Sequence, residues 1–174
     1  MPRTRLVLVA VFGLVAATLV GCVGTSADTP DSPESNTLTV IHPAVPAPTL
    51  IPRAEAVPSV GDVRLWNFDG TTEDDEVVTM DWIMTTTALD VPTVGLETRF
   101  ATGVFTFASS GNGNVDQIIL EGVAYYPTAG SVLESASSTV RAVVGGTGRF
   151  DGARGSVESI HLADDTWRHV FTLR

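Results

Sequence analysis

The sequence predicts an all-β domain, a small antiparallel barrel or sandwich of six to eight strands. Three observations predict it. From about Gly61 onward, apolar and polar residues alternate with a period of two. Turn segments rich in Gly, Asn and Asp separate the alternating runs. No window of helical length repeats its apolar residues every 3.6 positions.

The chain opens with a segment outside this domain. Arg3 and Arg5 precede a continuous apolar run, Leu6 to Val20. A charged start followed by such a run has the layout of a secretory signal, and the run is short for a membrane span. It ends in Leu19-Val20-Gly21-Cys22, which resembles a bacterial lipobox. Residues 1–21 are therefore expected to be a lipoprotein signal peptide, with Cys22 as the lipidated first residue of the mature chain. Cys22 is the only cysteine, so no internal disulfide can form and packing alone must hold the fold.

Residues 22–60 read as a tether. Eight of the ten prolines lie at or before Pro58, where they deny backbone donors and fix φ. A disordered or extended segment is expected. Leu38 to His42 is a short β-branched run inside it that can dock on the domain as a strand.

Residues 61–174 carry the strands. In Val77–Leu89, Val78, Met80, Trp82, Met84 and Ala88 share one face, and Thr79, Asp81, Thr85 and Thr87 share the other with Ile83. In Leu96–Phe107, Phe105 and Phe107 oppose Phe100 and Val104. Ser109–Asn114 is a turn. Val115–Tyr126 is a strand apolar on both faces, followed by Thr128–Ser138, a loop or a short helical turn. Three further strands follow, divided by a glycine-rich segment and by Asp164-Asp165. Apolar residues on both faces suit a barrel with a pocket inside and a covered outer wall.

The glycine-rich segment, Gly145 to Gly155, holds five glycines in eleven residues. A dinucleotide fingerprint needs a third glycine where Asp151 stands and a helix after it, yet the following residues alternate like a strand. A P-loop needs a lysine, and the chain has none. The glycines are expected to shape a tight strand connection, with Phe150 plugging one end of the barrel and Arg149 or Arg154 pairing with acids. Val144, Gly145, Gly146, Thr147, Gly148, Phe150, Ala153, Arg154 and Gly155 together resemble the signature hairpin of the allene oxide cyclase and dirigent barrel superfamily. Leu120-Glu121-Gly122 resembles the strand that precedes it there. The resemblance covers roughly residues 95–173. It implies an eight-stranded antiparallel barrel with an apolar cavity, assembly into homo-oligomers, and chemistry on unsaturated or phenolic small molecules. The plant enzymes' functional residues find no match in this sequence.

Candidate site residues are few. On Val115–Tyr126, Gln117, Glu121 and Tyr125 share one face, and Ile118, Leu120, Ala124 and Tyr126 the other. If the first face points inward, Glu121 is a carboxylate in an apolar pocket, with a raised pKa suited to acid–base work. If it points outward, Glu121 is a solvated surface acid. Arg141, between Val140 and Ala142, either pairs across the sheet or binds a substrate carboxylate. Asp81 is expected to face water. His161 and His169 fall on strands that can be neighbours, while His42 lies in the tether. No metal-ligand spacing joins the three, and Glu73–Glu76 lacks the pattern of a calcium loop. No Gly-x-Ser-x-Gly motif is present, so a hydrolase is not expected. No cofactor is expected.

Charge excludes one class. The net charge is −10 and every basic residue is arginine, so nucleic acid is not an expected partner. Anionic lipid would not attract the chain either, which leaves membrane attachment to the lipid. The expected function is binding of a small apolar molecule in the barrel, on the extracytoplasmic face of the cell membrane. The alternatives are a cyclase, isomerase or dirigent-like guide for a reactive intermediate, and a structural envelope module. Inward Glu121 or Tyr125 would favour the enzyme, and inward Trp66, Trp82 and Phe105 the structural module.

Overall fold

The computed structural model describes residues 36–108, 115–128 and 130–174. Cys22, the signal segment 1–21 and the turn Ser109–Asn114 lie outside these residues. Nine strands follow in chain order: β1 (Asn36–His42), β2 (Thr49–Ile51), β3 (Val63–Thr72), β4 (Val77–Leu89), β5 (Leu96–Phe107), β6 (Asp116–Pro127), β7 (Ser137–Thr147), β8 (Gly155–His161) and β9 (Trp167–Leu173). Each pairs antiparallel with its neighbours in one sheet, ordered β1-β9-β8-β7-β6-β5-β4-β3-β2.

A second pairing of β1, with β3, closes this sheet. Val40 lies opposite Thr72 and Ile41 opposite Thr71. The result is an eight-stranded antiparallel barrel, with β2 paired to the first three residues of β3. Closure removes the sheet edges that would otherwise invite foreign strands. It also corrects a boundary. The first barrel strand, β1, lies in the stretch 22–60 assigned to the tether, so the barrel begins at Asn36 and not at Gly61. Proline density misled here because it falls on either side of β1, whose seven residues contain none.

The alternation read from β4 matches the pleat. Val78, Met80 and Trp82 are buried, and Asp81 faces outward, accepting a hydrogen bond from Asn67 at 2.6 Å. In β5, Phe105 and Phe107 are inside, and Phe100 is outside. Strand β6 turns Ile118, Leu120, Ala124 and Tyr126 inward. The interior is apolar toward one end. There Phe105 meets Phe171 edge to face at 5.0 Å and Trp82 at 5.8 Å, geometry that adds about 0.5–1.5 kcal/mol per pair beyond burial.

That apolar end is closed by the glycine-rich connection. A 3-10 turn, Gly148–Phe150, packs Phe150 against Phe107 at 4.8 Å. The loop does hold an anion, but the anion is the chain's own. Arg149 N–H donates to Asp116 Oδ1 at 3.0 Å, and a side chain at Gly148, where φ is +62°, would collide with that oxygen. The Arg149 guanidinium pairs with Glu76 at 2.6 Å. At Gly146 an added Cβ would lie 2.3 Å from Phe150 O and 2.8 Å from Gln117 O, while at Gly145 the nearest atom is 3.9 Å away.

At the other end the wall is split. The β6–β7 ladder runs only from Gln117–Thr147 to Glu121–Ala142, with an irregularity after Ile119. Beyond it β6 pairs only with β5, and β7 only with β8. Thr128–Ala136, which bridges the two strands there, holds no helix among its described residues.

Adjacent glycines give a sharp contrast. Gly146→Ala is expected to cost about 2–3 kcal/mol, since the neighbouring atoms are backbone and cannot turn aside. Gly145→Ala is expected to fall within about 0.5 kcal/mol of the parent. Urea unfolding of the two variants measures the difference.

Candidate functional site

The split end of the barrel gathers most of the interior's polar chemistry. A cavity of about 40 Å³ lies there, bordered by Trp66, Trp82, Met84, Trp167 and a small set of polar groups. Its lid is made of loop residues Val45, Val132 and Leu133. Trp66 Nε1–H donates to Pro46 O at 3.0 Å, which fastens the β1–β2 loop over the opening. His161 fastens the β6–β7 loop, with Nδ1 2.8 Å from Leu133 O and Nε2 2.7 Å from Asp165 Oδ1.

One buried charge cluster forms the floor of that loop. Arg99 donates to both oxygens of Glu97 at 3.1 Å, and to Ser131 O at 2.6 Å and Gly130 O at 2.7 Å. Thr86 hydroxyl donates to Glu97 Oε2 at 2.9 Å, and Arg64 reaches Glu97 Oε1 at 3.4 Å. Burial lowers the Arg64 pKa, and the nearby Arg99 charge pushes the same way. Glu97 therefore serves two arginines. The Arg99 guanidinium also lies 4.4 Å over the Tyr126 ring, so the cluster holds Tyr126 in place.

Arg141 enters the cavity from β7. Gly122 makes room, because a Cβ there would lie 3.1 Å from Arg141 Cγ. The guanidinium donates to Tyr126 Oη and lies 5.5 Å over the Trp82 ring. No carboxylate pairs with it among the described residues, and its Nε–H, buried, has no hydrogen-bond partner. A buried donor left unmade is costly, and a buried cation without a counter-charge is costlier. Burial raises the Tyr126 pKa, against the pull of Arg141 and Arg99, so its hydroxyl stays protonated. With its oxygen accepting from Arg141, that hydroxyl hydrogen is free to donate.

Opposite stands a chain of three side chains. Ser159 Oγ lies 2.8 Å from His169 Nδ1, His169 Nε2 lies 3.0 Å from His42 Nε2, and His42 Nδ1 lies 2.7 Å from Pro43 O. The carbonyl fixes every proton. It can only accept, so His42 Nδ1 carries hydrogen and its Nε2, in the neutral ring, accepts. His169 Nε2 must then donate, which leaves its Nδ1 bare to accept from the Ser159 hydroxyl. Both rings are kept neutral. Burial lowers the His42 pKa to about 4, against the pull of Pro43 O, and burial holds His169 well below the usual histidine value, helped by His42 and Arg141.

The structure sorts the sequence candidates. Arg141 is in the cavity and makes none of the cross-sheet ion pairs that were one reading of it. Glu121 and Tyr125 lie on the outer wall, where Tyr125 is half exposed and Glu121 accepts from Thr102 at 3.5 Å. Both are removed from the site, and Tyr126, on the opposite face, takes the place considered for Tyr125. The two faces of β6 are similarly apolar, so alternation could not choose between them. Trp66, Trp82 and Phe105 all point inward. His161 does not face His169. The partner is His42, 127 residues away in sequence, which only barrel closure brings near. Ser159 and Tyr126 carried no local motif. No group of three or more His, Cys, Asp or Glu arranged to hold a metal occurs among the described residues.

Neutral, buried imidazoles make stability depend on pH. The unfolded chain binds a proton at His42 near pH 6.5 and the folded one only near 4. Stability is thus full above pH 6.5 and falls as pH drops through that window, by an amount of order 3 kcal/mol from His42 alone. His169 adds to the loss. Chemical unfolding at pH 7.5 and 4.5 is expected to show the drop, and His42→Phe to lessen it.

No family model and no curated protein sequence matches the chain. Its fold is similar to that of a solved structure titled pyocyanin demethylase, with a TM-score of 0.57 and 14% identity over 81% of this chain and 100% of that one. At that identity the likeness is one of fold: the chain shares a small β-barrel architecture with that protein.

Proposed function

We propose that the barrel binds a small, flat, mainly apolar molecule bearing a carboxylate, phenolate or carbonyl oxygen. The observation that carries this reading is Arg141, a buried cation with an unmade donor, in a cavity walled mainly by aromatic rings and apolar side chains. Tyr126 offers a second hydrogen atom to the same oxygen. Apolar walls with a few convergent polar groups are the usual composition of a ligand site. The similar fold of a protein titled pyocyanin demethylase, whose name refers to a small molecule, supports the reading. At about 40 Å³ the cavity holds a few waters, so a ligand enters as Met84 and the Val132–Leu133 lid give way. Methionine adapts readily to such a change.

Titration of the full chain with 2-naphthoate, followed by tryptophan fluorescence, tests the proposal. Saturable quenching is expected, since Trp66, Trp82 and Trp167 all border the cavity. Arg141→Met should weaken binding roughly 10–100-fold and raise stability by about 1–3 kcal/mol, because it removes a buried cation that lacks a counter-charge. A second reading, a structural module, is favoured by the inward Trp66, Trp82 and Phe105. It predicts the gain in stability with no quenching in the parent. Cyclase or dirigent-like steering of a reactive intermediate is the enzymatic extension of the binding reading, through orientation in the cavity. It draws no support from Glu121 or Tyr125.

The leader sequence supports a location. We propose that Cys22 carries the lipid and holds the barrel at the outer face of the membrane. Metabolic labelling with an alkynyl fatty acid should mark the parent and spare Cys22→Ser, and equal labelling of the two would overturn the anchor.

A further inference from the structure

The Ser159–His169–His42 chain has a direction, and the direction has a chemical use. The serine's hydrogen is committed to His169 Nδ1, so its lone pairs are left for the cavity that Ser159 borders. An alcohol hydrogen-bonded to a neutral imidazole is the ground state of an activated nucleophile. A second histidine orients the first, as the third group does in serine triads. His42 is itself held by Pro43 O at 2.7 Å and stacked near-parallel on Trp167 at 5.9 Å.

Arg141 completes the arrangement. Thr139 pairs with Ser159, and Arg141 pairs with Val157. Arg141 and Ser159 are therefore diagonal neighbours on the inward face, within reach of one another for long side chains. Donors positioned where negative charge develops are the largest single contribution in many acyl transfers.

We infer that the cavity is an esterase site, in which Ser159 attacks a small apolar carboxylic ester whose carbonyl oxygen rests on Arg141. The Oγ–C bond forms as the Ser159 proton passes to His169 Nδ1. His169 hands its Nε2 proton to His42, so the positive charge moves from the more deeply buried ring to the one backed by a carbonyl. The carbonyl electron pair, placed on oxygen beside the guanidinium, returns to expel the alkoxide, which takes back the proton through the same two rings. Water then enters by the same route and releases the acid, leaving the serine as it began. Ester and water give acid and alcohol, with no other reactant.

This inference rests on the binding reading for Arg141, and the two fail separately. The full chain is treated with phenylmethylsulfonyl fluoride, then digested and mapped by mass spectrometry. Sulfonylation at Ser159 is expected. Ser159→Ala should lose the mark and the burst of p-nitrophenol from p-nitrophenyl acetate. His169→Gln should slow labelling by roughly 10²–10⁴-fold, with circular dichroism and thermal unfolding to establish that it folds. A parent protein that binds 2-naphthoate yet shows neither the mark nor the burst overturns the nucleophile and leaves the binding site standing. Labelling elsewhere with Ser159 untouched overturns it as well. A mark at Ser159 without 2-naphthoate binding keeps the nucleophile and overturns the oxyanion role of Arg141.

Discussion

Closure of the sheet through β1 is the constraint from which the rest follows. A closed barrel pairs most of the strands' backbone groups with one another and leaves the interior to one face of eight strands. That interior must be filled by side chains alone, and any polar group in it must find its partner there. The contents are divided accordingly. One end is packed with apolar side chains beneath Phe150. The other holds Glu97 with its two arginines, the histidine pair and Arg141. β1 belongs to both stories, for it pairs with β9 along all seven residues and with β3 at only two. Its last residue, His42, joins the closing strand to His169 and through it to Ser159.

The polar end divides again into groups that are satisfied and groups that are not. Glu97 has donors on both oxygens, and the three histidines use both ring nitrogens. These groups fasten loops and hold Tyr126. Arg141 and Trp167 each keep a buried donor without an acceptor, and both border the cavity; of the two, only Arg141 carries a charge. A fold that has satisfied Glu97 and both arginines around it has the means to satisfy a further one. That contrast within one cavity, together with its charge, gives Arg141 its meaning.

Much of the architecture was legible in the sequence, for physical reasons. Trp82 and Phe105 sit on strands whose opposite positions are mostly Thr and Asp, with Ile83, Phe100 and Val104 among them, and a period of two follows from the pleat. The glycine-rich segment could be separated from a phosphate loop because no helix follows it. The site was less legible. On β6 both faces are apolar, and the choice between Tyr125 and Tyr126 depends on curvature that no local pattern records. His42 sits among prolines, and its role comes from a contact across 127 positions. Ser159 belongs to no motif because its neighbours in the chain, Glu158 and Ile160, lie on the other face of the strand.

The slit between β6 and β7 has a mechanical meaning. Tyr126 stands on one bank and Arg141 on the other, and beyond Glu121 no ladder joins the two strands. Their side-chain hydrogen bond is thus a latch across an opening in the wall. A guest that claims the guanidinium competes with that latch from within. Occupancy of the interior and compliance of the wall then become one variable.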